Sequence, residues 1–249
     1  MILSNPPYPV PANAVHVWRG YRAASTTPAA FLAQLGETFI PSATIMQPPI
    51  GLRAYLPGAF SSDSLPAGVP EETALLFWDS QTAYTATAQT LSGRVYTNTH
   101  WRTYDMTSSS ASWPVSLANP LVIETPYMVL ENAADWMTGN ACQLLVALAS
   151  PPDLTSLATW AQGVASSPPA GLEGAYLVAG QSYVLWWELW SGEPSDALRT
   201  ALAANGSVIA NGPSAPAVIN GPFEGTWAGV TISAGDMFNM QFNRPGTTS

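Results

Sequence analysis

The 249-residue chain carries a formal net charge of -9, has only Arg among its seven basic residues, and is 47% hydrophobic against 9% charged. That balance excludes nucleic acid as a partner, because binding a phosphate backbone needs clustered Lys and Arg to release counterions. The single cysteine, Cys142, excludes an intrachain disulfide and a thiolate metal centre, and no stretch approaches the ~20 consecutive apolar residues of a membrane span.

Residues 1–12 are Pro-rich and are expected to form an extended arm. They lack the positive and apolar regions of a secretory signal, so a soluble cytoplasmic protein is the expectation. The run from Ala14 to Arg22 has strand composition, with Val15 and Val17 on one face and His16 and Trp18 on the other. Thr26 or Thr27 followed by Pro28 starts a helix. Phe31, Leu32, Leu35 and Phe39 continue it at helical spacing to Ile40, and Pro41 marks its end or a kink.

Leu52–Leu56 reads as a second strand, 57–70 as a loop and Thr73–Asp79 as a third, mostly buried strand. Ser80 caps a helix from Gln81 to about Ser92. The order is therefore β-α-β-β-α, and the second half repeats it. Ala141–Ala149 is an apolar strand, Asp153 caps a helix to about Ala165, Leu172–Val178 and Ser182–Trp190 are strands, and Pro194–Ala204 is a helix. Two stretches also match in letters: Ala54-Tyr55-Leu56 with Ala175-Tyr176-Leu177, and Phe77-Trp78-Asp79-Ser80 with Leu189-Trp190-Ser191-Gly192. The expected division is an arm at 1–12, a first unit at 13–131, a linker at 132–140 and a second unit at 141–249. The stretch 106–135 should hold the last strand of the first unit, and Phe223–Phe242 a closing strand or hairpin.

The passage Trp187-Glu188-Leu189-Trp190-Ser191-Gly192-Glu193-Pro194-Ser195-Asp196-Ala197-Leu198 resembles the strand-to-helix passage of antibiotic-biosynthesis-type monooxygenases, in which Glu-x-Trp-x-Ser leads into a helix bearing Ala-Leu. Phe77–Tyr84 is similar but lacks the Glu. The resemblance implies an α+β fold of two ferredoxin-like βαββα(β) units, whose antiparallel sheets form an internal pseudo-dimer. It also implies chemistry with no metal and no bound cofactor. Many relatives carry a His in the helix after this passage, where the second unit here has Arg199 and no His.

His16 and His100 are the only histidines, so a His-dependent acid–base step must use one of them. His16 shares a strand face with Trp18, with Arg22 further along; the plain alternative is a half-exposed His at a strand end. His100 lies in Tyr96–Asp105, where Trp101 and Arg102 can stack on a flat ligand and hold an anionic or carbonyl group. The same segment also suits a loop packing its rings on the sheet. Glu188 interrupts an apolar strand between Trp186 and Trp190, which makes it either a general base with a raised pKa or the partner of Arg199. Trp18, Trp78, Trp186 and Trp190 are candidate pocket walls, although large rings more commonly fill cores. No phosphate loop, nucleophile elbow, zinc motif or calcium loop is present.

The expected function is a small-molecule enzyme, a cofactor-independent monooxygenase or an isomerase or cyclase, acting on a flat apolar or aromatic molecule as a pseudo-dimeric monomer or homodimer. A non-catalytic binder of hydrophobic ligands on the same fold is one alternative. A Trp-rich β-sandwich that binds carbohydrate is another, which the expected helices would rule out.

Overall fold

The computed structural model describes residues 14–60, 62–131, 136, 139–213, 225–227 and 230–232. The expected arm, most of the expected linker and most of the tail lie outside these residues.

In the first unit, β1 (Val15–Gly20) leads through α1 (Pro28–Gln34), a wide π turn (Leu35–Phe39) and α2 (Ile40–Met46) to β2 (Leu52–Ala59) and β3 (Glu72–Trp78). Then α3 (Gln81–Ala86) and α4 (Leu91–Thr103) precede β4 (Ser110–Ser112). The sheet order is β2-β3-β1-β4 with every pair antiparallel, the ferredoxin-like arrangement in which the first and third strands are central. Thr27 Oγ1 accepts from the Ala30 N–H at the start of α1, and Ser80 Oγ from the Ala83 N–H at the start of α3, as expected for hydroxyl caps.

Three local expectations change. Pro41 does not stop the helix; the backbone widens just before it, with the Ile40 N–H reaching back to Leu35 O, and carries on as α2. The strand expected to stop at Leu56 runs through Pro57 to Ala59, which β2 tolerates because it is the sheet edge. The helix expected at 81–92 closes at Ala86, and a fresh cap by Thr90, whose Oγ1 accepts from Gly93 N–H, starts α4. His100 is therefore helical.

The second unit runs β7 (Asn140–Ala147), α5 (Leu154–Ser166), β8 (Leu172–Ala179), β9 (Tyr183–Trp190), α6 (Ala197–Ala203) and β10 (Ser207–Pro213), with the same strand order, β10-β7-β9-β8. Sequence reading missed β10, a strand of mostly exposed or half-buried residues that follows α6 directly. β5 (Val115–Ser116) and β6 (Pro126–Leu130) extend this second sheet beyond β8. By sheet membership the chain thus changes unit between Ser112 and Val115, not at 132–140. In the tail, β11 (Gly225–Trp227) and β12 (Val230–Ile232) pair as a separate two-stranded ribbon.

The two sheets pack against each other through alternate residues. Val15, Val17, Leu75 and Phe77 share one buried cluster with Leu145, Leu185, Trp187 and Leu189. Trp136 bridges them, its ring 5.8 Å from Phe77 and 5.5 Å from Tyr176, and Gln143 Nε2 donates to Thr73 Oγ1 across the joint. The result is an α+β internal pseudo-dimer. Its units align at Trp78 and Trp190, each ending a third strand and each opposite a leucine, Leu52 or Leu172, that precedes a bulge. That register sets Tyr55 level with Ala175, so the matching letters Ala-Tyr-Leu are one residue out of structural step.

Candidate functional site

The phase of the first sheet decides what faces the helices. With Val15 and Val17 committed to the second sheet, His16 and Trp18 point to the helix side, as do Leu76 and Trp78 of β3 and Tyr55 of β2. Phe39 and Gln47 from the first helical segment, Tyr84 from α3, and Tyr96, Thr97 and His100 from α4 roof the space over them. The cavity is about 100 Å³ and open at its mouth, somewhat smaller than the ~150 Å³ that takes one benzene-sized ring, so a ring bound here would extend into the mouth.

Its walls are aromatic. His16 lies 4.2 Å from the Tyr84 ring and 4.6 Å from Trp113, and His100 packs at 4.8 to 5.4 Å on Phe39, Tyr96 and Trp18. Burial lowers both histidines to about 4, helped at His16 by the Arg19 charge and opposed at His100 by hydrogen bonds to the Tyr96 and Thr97 carbonyls. Both imidazoles are neutral at pH 7. His100 Nδ1 sits 3.3 Å from Tyr96 O, which favours the Nδ1–H tautomer and leaves Nε2 as an acceptor.

Two pocket residues bring unsatisfied donors. Gln47 Nε2 and Trp78 Nε1 are buried without a hydrogen-bond partner among the described residues, and such groups normally find an acceptor. Trp187 and Trp190 leave the same kind of N–H in the second unit, so Gln47 is the more telling of the two.

Behind the pocket lies a carboxylate that sequence reading missed. Glu72 is fully buried and accepts from Trp18 Nε1 at 2.7 Å, Tyr55 OH at 2.8 Å and Tyr104 OH at 2.5 Å. Burial pushes its carboxyl up to about 7 despite these donors. The signal was present: Glu72, Ala74, Leu76 and Trp78 alternate onto one face. Gly20, the β1 residue opposite Glu72, makes room, since a Cβ there would lie 2.6 Å from Trp18 Nε1 and 2.7 Å from the Tyr104 ring. Gly20→Ala is expected to destabilise the fold by about 1–3 kcal/mol through overpacking, read as a lower urea midpoint; an unchanged midpoint would mean the donor cluster is loosely held.

The structure therefore brings His16, His100, Trp18 and Trp78 into one pocket. It places the other candidates elsewhere. Arg22 pairs with Glu71 at 2.8 Å outside the pocket, and Trp101 and Arg102 lie on the exposed face of α4, Trp101 at 67% exposure. Trp186 and Trp190 are in the core beneath the helices of the second unit. Glu188 is fully buried there, held by Arg199 Nε at 2.5 Å and Trp186 Nε1 at 2.9 Å. Arg199 also donates to Asn211 Oδ1 and Ser195 O. In the place where the first unit is hollow, the second is filled by Trp186, packed 5.2 Å from Trp160, and by this ion pair. Among the described residues no cluster of His, Cys, Asp or Glu is arranged to hold a metal ion, and no helix is long and apolar enough to cross a membrane.

No family model and no curated protein matches the sequence. Among solved structures the chain is similar to a proposed monooxygenase from Fusobacterium nucleatum (9% identity over 80% of this chain and 89% of that one, TM-score 0.37). It is likewise similar to a proposed monooxygenase from Lactobacillus acidophilus (9% identity, 88% and 97% covered, TM-score 0.36) and to an anthrone oxidase-like protein (10% identity, 80% and 89% covered, TM-score 0.36). The strand order in both of its sheets gives the chain the ferredoxin-like fold.

Proposed function

We propose that the chain is a small-molecule enzyme whose first unit binds a flat, largely apolar ring bearing an oxygen acceptor and acts on it by proton transfer, as a cofactor-independent monooxygenase or an isomerase or cyclase. The observation that carries this reading is the convergence of aromatic walls, two neutral imidazoles and the Gln47 N–H, unpartnered among the described residues, on one cavity between sheet and helices. The apolar walls suit the ring, and Gln47 and Trp78 suit its oxygen. With one chain supplying both sheets of the pseudo-dimer, a monomer is sufficient. The carbohydrate-binding β-sandwich is set aside by the helices over both sheets.

The first test is quenching of Trp fluorescence by 4-nitrophenol and by nitrobenzene. Gln47→Leu is expected to weaken 4-nitrophenol about tenfold, the worth of one buried hydrogen bond, and to leave nitrobenzene less affected. Equal loss for both would remove Gln47 from recognition, and no saturable quenching would remove the pocket. The second test is turnover of phenolic substrates with and without oxygen, where unchanged product under anaerobic conditions would remove the oxygenase version. One feature favours a second reading, a binder without chemistry: histidines held near 4 are weak bases. Saturable binding with no turnover in either atmosphere would decide for it.

A further inference from the structure

The three donors to Glu72 are not equivalent. Trp18 lines the pocket, but its indole N–H can only donate. Tyr104 has a reversible hydroxyl but is not a pocket wall. Tyr55 alone does both, lining the cavity and placing its hydroxyl 2.8 Å from Glu72 Oε1. Glu72 Oε2 already takes two donors, whereas Oε1 takes only Tyr55 among the described residues. A proton arriving at the carboxylate therefore belongs on Oε1, where it obliges the Tyr55 hydroxyl to turn from donor to acceptor.

We propose that Tyr55 and Glu72 form a proton-transfer pair that ionises a phenol or enol bound in the first-unit pocket. The ligand's O–H bond breaks as its proton passes to Tyr55 Oη, and the Tyr55 proton passes to Glu72 Oε1. The ligand leaves as phenolate or enolate, Tyr55 is regenerated, and the single negative charge has moved from Glu72 to the ligand. Tyr55 then donates to the new oxyanion. Among the described residues no cation faces Glu72: its surroundings are Trp18 on β1, Tyr55 on β2, and Tyr96 and Tyr104 at α4. A carboxylate so placed is ready to take a proton and shed its charge. The histidines, held neutral, are left as hydrogen-bonding walls. This step rests on the pocket reading above.

The test uses 3-nitrophenol, a weaker acid than 4-nitrophenol, with two separate readouts: Trp quenching for binding and the phenolate absorption band for ionisation, measured between the pH at which Glu72 ionises and that at which the free probe does. Wild-type protein is expected to bind the probe as phenolate, with a carboxylic-acid carbonyl band appearing in the infrared difference spectrum. Glu72→Gln and Tyr55→Phe should both quench yet keep the probe neutral. Tyr104→Phe should raise the phenolate fraction, because losing one donor makes Glu72 a stronger base. A merely structural role would move the two Tyr variants together. Phenolate persisting in Tyr55→Phe or Glu72→Gln would overturn the pair and return the base to a histidine, and absence of quenching in the wild type would overturn the pocket itself and the pair with it.

Discussion

Arg199→Met is expected to cost about 3–5 kcal/mol of folding free energy, because it strands a carboxylate in the core of the second unit. Glu188 is fully buried, and apart from Arg199 only Trp186 Nε1 donates to its side chain among the described residues. Arg199 also ties α6 to β10 through Asn211, so the variant should lower the urea midpoint and loosen β10 in hydrogen exchange. The double variant Glu188→Leu with Arg199→Met should recover most of the loss, since apolar replacement of a buried pair is often neutral. Ligand binding in the first unit should survive in the double variant. Glu188 is thus a packing anchor, and a double variant that regained stability yet lost turnover would restore it as a chemical group.

The same residue shows how far the sequence can be read. A Glu inside Val-Leu-Trp-Trp-Glu-Leu-Trp is visibly out of place, but either of two surroundings would explain it, and the choice turns on whether α6 lays Arg199 over β9. Element order was legible because caps such as Thr27, Ser80 and Asp153 sit immediately before apolar helical periodicity. Strand β10 was not, because a strand made mostly of exposed residues gains its pairing from neighbours and not from its own composition. The pocket was half legible. Alternation put His16 beside Trp18, and His100 joined them once α4 proved helical, whereas the ligands of Glu72 come from β1, β2 and the end of α4. No local pattern links such positions.

Stability should be level above about pH 7 and fall below about pH 6.5, driven by three buried groups in the first unit. His16 and His100 titrate at about 4 in the folded chain against an ordinary 6.5. Their neutral forms therefore contribute stability that is complete above 6.5 and is lost as pH falls toward 4, about 3 kcal/mol for each. The groups facing them do not offset this: Tyr84 and Trp113 at His16, Phe39, Tyr96 and Trp18 at His100, with Arg19 adding to the penalty at His16. Glu72 has the opposite sign. Its carboxyl titrates at about 7 against an ordinary 4.5, so its contribution is complete below 4.5 and is lost as pH rises through 7, again about 3 kcal/mol. Two histidines outweigh one carboxyl on the acid side, leaving a net loss of about 3 kcal/mol by pH 4 from these groups. Urea midpoints across pH 4 to 9 should trace that acid fall and the plateau above it. Replacing both histidines with Phe should abolish the acid fall, and Glu72→Gln should roughly double it by removing the opposing contribution, and an acid limb that keeps its slope without the histidines would place the acid lability in the surface carboxylates instead.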